Sequence, residues 1–196
     1  MAESMSRERA RAVRLVLFDI DGVLTDGGVY IGRLPDGAQI EFKRFDVTDG
    51  LGIKLLRWAG LQVAFVSGRE SPASAARAEE LGVECHQIKD GFKLPVVEEL
   101  LARYGVSWEE TAFVSDDIAD LPLLWRVGLP VAVANASAEV RAAAAWHTTR
   151  RGGEGAVREF VEALLKARGE WDGELEKYTL ARGGRRVAHE IGRAHV

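Results

Sequence analysis

A single cysteine, Cys85, occurs among the 196 residues, so no disulfide closes within the chain. In "GVECHQI" it reads as a buried strand residue and not as a reactive thiol. No run of 18 apolar residues is present, which excludes a membrane-spanning helix. The N-terminal "MAESMSRERARAVR" lacks the apolar core of a secretory signal, so the expected location is the cytoplasm, with no membrane partner. There is no excess of basic charge: the net charge of −4 excludes nucleic-acid binding by bulk electrostatics. Low-complexity tracts and internal repeats are also lacking. What remains is ordinary for a globular protein, 47% hydrophobic and 29% charged. A chain of this length forms one domain that removes about 70% of its unfolded surface from water.

Apolar runs alternate with amphipathic ones, the pattern of βαβ units around a parallel sheet. The first run, residues 14–19, is nearly continuous in apolar character, as a strand covered on both faces requires. "GVYIG" and "AQIEFK" then flank "RLPDG", whose Pro35, Asp36 and Gly37 supply a turn, predicting a hairpin over residues 27–45. A helix capped by Thr48 or Asp49 runs to a stop at Gly60. The strand "LQVAFVS", a helix opened by Ser71-Pro72 and closed by Gly82, and the strand "VECHQI" follow. Next come a helix with Val97, Leu100, Leu101 and Tyr104 on one face, the strand "TAFVS", and a helix reaching Gly128. "PVAVA" reads as a strand, Ser137 as the cap of an alanine-rich helix, and "WHTT" as a short strand. Val157, Phe160, Val161, Leu164 and Leu165 mark the last amphipathic helix. The expected architecture is one doubly wound α/β domain over residues 14–178, with a hairpin inserted after its first strand. Residues 1–13 read as an N-terminal extension and 179–196 as a flexible basic tail.

In open α/β sheets ligands bind beyond the carboxyl ends of the strands, so the residues there carry the functional signal. The first strand runs into "DIDGVLTDGG", with three carboxylates, Asp19, Asp21 and Asp26, inside eight residues. The second ends in Ser67, Gly68 and Arg69. "KDGFK" after the third supplies Lys93, and the fourth ends in Ser115, Asp116 and Asp117, with Asp120 behind. Each alone has an ordinary explanation: a turn acid, a helix cap, a lysine lying along the surface. Gathered at successive strand ends they describe a phosphoryl-transfer site. Clustered carboxylates attract a hard divalent cation, and magnesium favours one or two carboxylates with water and phosphate oxygens. A hydroxyl, backbone amides and a lysine hold the phosphate. One carboxylate can act as nucleophile and a second as proton carrier.

The series "DIDGVLT", "VSGR", a helix-opening Lys93 and "SDDIAD" resembles the haloacid dehalogenase-like superfamily of phosphatases. That resemblance implies Asp19 as nucleophile, Asp21 as general acid/base, and Ser67 and Lys93 as phosphate ligands. It also implies a magnesium ion held by the Asp19 carboxylate, the Asp21 main-chain carbonyl and Asp116, with Asp117 and Asp120 in support. Many members insert a cap domain after the first or second motif; here neither gap holds more than a hairpin, one helix or one strand. The chain therefore resembles the capless group, which closes its site through oligomer contacts. Within that group "DIDGVLTDG", "FDVTDGLGIK", "SGRES", "DDIADLPLL", "VGLPVAVANA" and "RRGGEGAVREFVEALL" are similar to the phosphatases of 3-deoxy-D-manno-octulosonate 8-phosphate. By that similarity the expected partner is a small sugar phosphate, the assembly a homotetramer in which hairpins meet, and Thr25, Asp26, Gly27, Gly68 and Arg69 substrate contacts. Phosphatases of nine-carbon keto sugar acids belong to the same group and are the alternative.

One position departs from the family pattern. Ser115 stands where glycine is usual, so its side chain must find space beside the metal site or the backbone must shift. Other classes fit less well. A response-regulator receiver domain also gathers acids, a hydroxyl and a lysine, but its phosphorylated aspartate ends a later strand than its acidic pair. A sugar phosphomutase has a capped architecture, and a catalytically dead scaffold would not fill every reactive position with a competent residue.

Overall fold

The structure is a computed structural model that describes residues 4–184. A short helix α1 (Arg7–Ala12) precedes β1 (Leu15–Phe18). An antiparallel ribbon, β2 (Tyr30–Arg33) and β3 (Gln39–Phe42), leads to helix α2 (Val47–Trp58). Then come β4 (Gln62–Ser67), α3 (Pro72–Leu81), β5 (Glu84–Gln87) and α4 (Leu94–Tyr104). The second half holds β6 (Thr111–Ser115), a 3-10 turn (Ile118–Asp120), α5 (Leu121–Leu124), β7 (Leu129–Ala132) and α6 (Ala138–Ala143). It finishes with β8 (Trp146–His147), α7 (Ala156–Arg168) and α8 (Trp171–Ala181).

All four residues of β1 are buried because the strand lies mid-sheet with helices on both faces. Its side chains alternate: Val16 and Phe18 enter one core, Leu15 and Leu17 the other. The first core joins them to Ile53 and Leu56 of α2 and to Phe160 and Leu164 of α7. The second takes Val97, Leu100 and Leu101 of α4 with Leu123 and Leu124 of α5. Phe18 meets Phe65 and Phe160 edge-on, at centroid distances of 6.4 and 6.0 Å. Cutting such a buried phenylalanine to alanine costs about 3–5 kcal/mol.

The sheet is parallel throughout, in the order β5-β4-β1-β6-β7-β8. Successive strands run outward from β1 in one direction and then in the other, so the order reverses beside β1. A crevice opens at that reversal, beyond the carboxyl ends of β1, β4 and β6. This is the doubly wound α/β fold expected. Only the ribbon and α2 separate β1 from β4, and only α3 and β5 separate β4 from α4, so the fold has no cap domain.

Some local expectations are corrected. Asp46, not Thr48 or Asp49, caps α2, accepting from the Thr48 amide at 2.7 Å. Asp49 is drawn inward instead and accepts from the Arg158 amide at 2.7 Å. The helix expected to reach Gly128 is the four-residue α5, because the Arg126 amide closes a tighter turn onto the Leu123 carbonyl at 2.9 Å and the Gly128 amide donates to the Trp108 carbonyl at 2.8 Å. The N-terminal stretch is packed rather than appended: Met5, Ala10 and Val13 are buried, and Arg168 donates to the carbonyls of Ala10 and Val13. The boundary expected at Tyr178 falls inside α8, and residues 185–196 of the expected tail lie outside the described residues. Cys85 lies on β5, half-buried. No helix among the described residues is long and apolar enough to cross a membrane.

Candidate active site

Asp19 is the first residue beyond β1, held at sheet level by its amide donating to the Val114 carbonyl at 3.0 Å. Ser67 ends β4 and Ser115 ends β6, so the parallel register brings all three to one crevice. Lys93 enters from the loop that opens α4 and is buried. Its ammonium lies 2.8 Å from Asp19 Oδ1 and 2.7 Å from Asp120 Oδ1. Asp19, Asp21, Gly27, Ser67, Gly68, Arg69, Lys93, Asp116 and Asp117 line the cleft. Larger recesses exist, for example between α7 and the N-terminal segment at Met5, Trp146 and Glu159. There the acids are already engaged, Glu159 by the amides of Thr149 and Arg150, Glu162 by Arg158 and Lys166.

The electrostatics of the crevice favour a cation. Burial pushes the Asp19 carboxyl up to about 6, opposed by Lys93 and reinforced by Asp120. Asp116 is pushed up to about 7, by burial first and then by Asp19, Asp117 and Asp120. Asp116 Oδ1 is buried without a hydrogen-bond partner. For Lys93, burial works against the ammonium, but Asp19 and Asp120 outweigh it and raise its pKa. Among the described residues no group of three or more His, Cys, Asp or Glu side chains is arranged to hold a metal by side chains alone. A two-carboxylate set completed by main-chain and water oxygens is what magnesium favours, and Asp19 with Asp116 fits it. Gly22, at φ +85°, makes this possible: a Cβ there would stand 1.9 Å from Asp116 Oδ2.

The remaining expected residues divide. The Ser67 hydroxyl lies at a tight turn, accepting from the Arg69 amide at 3.2 Å, with Gly68 backed by Gly91. Arg69 faces the cleft and pairs with Glu41 at 2.5 Å. Asp117 caps the 3-10 turn through the Ile118 amide. Asp120 is buried and accepts from the Ser115 hydroxyl at 2.8 Å. Thr25 and Asp26 do not line the cleft. The Thr25 hydroxyl is fully buried and staples its own loop, accepting from Gly22 and Gly27 amides at 3.2 Å, while Asp26 accepts from Gly28. Of that trio only Gly27 reaches the site.

Four features escaped sequence reasoning. Lys43 and Glu41, on and just after β3, face the site: Lys43 Nζ lies 2.6 Å from Asp21 Oδ1. The signal was the alternation itself, two charged residues flanking an exposed Phe42 on one strand. Asn135 bridges the loop after β1 to a distant one, donating to the Gly22 carbonyl at 2.9 Å and accepting from the Gly152 amide at 2.7 Å. Gly152 packs so closely that a Cβ would meet the Gly22 carbonyl oxygen at 1.8 Å.

The family model of the haloacid dehalogenase-like hydrolases matches residues 88–160. The 3-deoxy-D-manno-octulosonate 8-phosphate phosphatase of Yersinia pestis is 37% identical over 166 residues, covering 85% of this chain and 87% of that protein. The enzyme of the same name from Escherichia coli K12 is 37% identical over 164 residues, covering 84% of this chain and 85% of its own. A crystal structure of the Moraxella catarrhalis 3-deoxy-D-manno-octulosonate 8-phosphate phosphatase, in complex with magnesium, phosphate and KDO, superposes with a TM-score of 0.80 at 33% identity. The match covers 88% of this chain and 97% of that one.

Proposed function

The chain belongs to the haloacid dehalogenase-like hydrolases and is a phosphoric monoester hydrolase, and we propose that it hydrolyses 3-deoxy-D-manno-octulosonate 8-phosphate to the free sugar acid and phosphate. The carrying observation is the Asp19–Lys93–Asp120 cluster at the sheet's switch point, with Asp21 and Asp116 facing the same cleft. The substrate reading rests on relatives of that name across most of the chain.

In the mechanism the side chains propose, Ser67, Lys93 and the amides of the Ser67–Arg69 turn hold the phosphate oxygens. Lys93 fixes Asp19 Oδ1, and the other oxygen of the carboxylate attacks phosphorus. The bond to the sugar oxygen breaks as Asp21 delivers a proton to it, leaving an aspartyl-phosphate on Asp19. Asp21 then takes a proton from water, which attacks the same phosphorus and frees Asp19. Asp19, Asp116 and the Asp21 carbonyl would hold magnesium, which when bound would supply charge neutralisation for the transferring phosphoryl group. Arg69, a fixed cation at the cleft, suits the carboxylate of a sugar acid.

We also infer that the ribbon is an association surface, because Val29, Tyr30, Ile31 and Phe42 on or beside it are exposed and no cap packs on them, and the family resemblance implies that the assembly is a homotetramer. A monomer in light scattering at micromolar concentration would count against this assembly. The substrate is tested by phosphate release over phosphorylated sugars, including eight- and nine-carbon 2-keto-3-deoxy acids, with magnesium present. Highest kcat/KM for the eight-carbon acid is expected; preference for a nine-carbon acid would transfer the assignment to the alternative.

A further inference from the structure

We propose that Lys43 is a positioning residue for Asp21, fixing the carboxyl group so that its proton points at the leaving oxygen. The inference rests on the phosphatase reading and adds the ribbon to the proton-transfer machinery.

The Lys43 side chain is 0% exposed, although it carries a charge. Burying an ammonium costs several kcal/mol unless its donors are matched. Lys43 meets one hydrogen-bond acceptor and two carboxylates. Its Nζ lies 2.6 Å from Asp21 Oδ1, donates to Ser74 Oγ at 3.0 Å, and stands 3.9 Å from Glu41 Oε1. Glu41 is held in turn by Arg69 and by the Ser71 hydroxyl. Lys43 therefore has little freedom: α3 supplies a hydroxyl behind it, Glu41 sits beside it, and Asp21 lies ahead.

Asp21 is otherwise loosely placed. It follows β1 on a loop, its side chain is 28% exposed, and among the described residues Lys43 is its one close ion-pair partner, with the Arg69 charge farther off. Two rotatable bonds leave such a carboxyl many orientations, yet a general acid must come within hydrogen-bond reach of its target. Occupation of Oδ1 by the Lys43 ammonium leaves Oδ2 as the oxygen that carries the proton. During transfer the Asp19 oxygen–phosphorus bond forms and the bond from phosphorus to the leaving oxygen breaks. The proton passes from Asp21 Oδ2 to that oxygen, releasing the alcohol.

This role has a signature that a merely structural lysine lacks. A leaving group that departs readily as an anion needs little help from an acid; a poorer one needs much. Phenyl phosphate and p-nitrophenyl phosphate have nearly the same shape but differ in this respect. Their kcat/KM values report the steps up to loss of the phenol, before the aspartyl-phosphate is hydrolysed. Lys43→Met should raise the ratio of kcat/KM for p-nitrophenyl over phenyl phosphate by more than about tenfold, and Lys43→Arg should restore most of the wild-type ratio. Equal loss on both substrates, or no change, would overturn the proposal. If Lys43→Met does not fold by circular dichroism, Ser74→Ala serves instead, and a rise of about threefold is expected. An unchanged ratio in that variant would equally overturn it. Wild-type protein that releases phosphate neither from these esters nor from the phosphorylated sugar acids, with magnesium present, would end the phosphatase reading and this proposal together. An active wild type with an unchanged variant ratio ends the proposal alone.

Discussion

The Ser115 hydroxyl donates to Oδ2 of Asp120 at 2.8 Å, and Oδ1 of the same carboxylate faces the Lys93 ammonium at 2.7 Å. The position that departs from the family's glycine thus finds room without a clash, fully buried, by fixing the acid that holds the lysine. Ser115→Ala removes a hydrogen bond to a charged group, worth about 1.5–3 kcal/mol of stability. A fall of that size in denaturant unfolding is expected, with kcat reduced up to about tenfold as Lys93 loosens.

Asp19→Asn should abolish turnover of every phosphoester, since an amide oxygen is a poor nucleophile. The fold should persist, and the melting temperature should hold or rise, because the substitution removes a carboxyl whose burial opposes its charge. Phosphate release and circular dichroism measure the two halves. Retained turnover would end the assignment of Asp19.

Divalent cation should stabilise the protein more as pH rises. Asp19 and Asp116 titrate in the folded protein near 6 and 7, above the ordinary 3.8. Raised carboxyl values mean that stability is fully present below about pH 4 and declines as pH climbs through 7. A cation between the two carboxylates offsets that decline. The rise in melting temperature on adding magnesium to chelator-treated protein should therefore be larger at pH 8 than at pH 5, and kcat should vanish with chelator.

A separate part of the same pH slope belongs to Asp49. Burial pushes its carboxyl up to about 7, against the hydrogen bond from the Arg158 amide, and Oδ2 has no partner. Its contribution is present at low pH and is lost between about pH 4 and 7, at most about 4 kcal/mol. Asp49→Asn keeps an acceptor for Arg158 and should flatten the fall in stability between pH 4 and pH 8. Magnesium should leave this portion untouched; urea unfolding across the pH range separates the two.

Gly152→Ala should damage activity from outside the cleft. The added methyl meets the Gly22 carbonyl oxygen, so the loop after β1 or the 150–155 segment must shift. A displacement of about 1 Å is enough for roughly a hundredfold loss in kcat. Wild-type kcat in this variant would show that the segment merely lies nearby.

Much of the fold was legible because it follows from local chemistry. Alternating apolar and amphipathic runs marked the strands of the parallel sheet, and Ser71, Pro72 and Gly82 bracket α3 as expected. Where three caps competed, local signals failed: Asp46, Thr48 and Asp49 all suit a helix start. The choice fell to Asp46 because Asp49 finds a backbone partner on α7, 109 residues away. α1 went unread because it spans only six residues, and α8 because it lacks a strong apolar periodicity; tertiary packing holds both, α1 against α7 and α8 against α2 and α7.

The site divides along the same line. Residue type and order along the chain were enough to name Asp19, Asp21, Ser67, Lys93 and Asp116, since strand ends in a parallel sheet must converge at the switch point. Which side chains face the cleft was decided by tertiary structure alone. Thr25 turned inward to staple its loop, and Lys43 turned inward to meet Asp21. Direction depends on the twist of the ribbon and on which distant donors and acceptors stay unsatisfied, and those are properties of the packed chain.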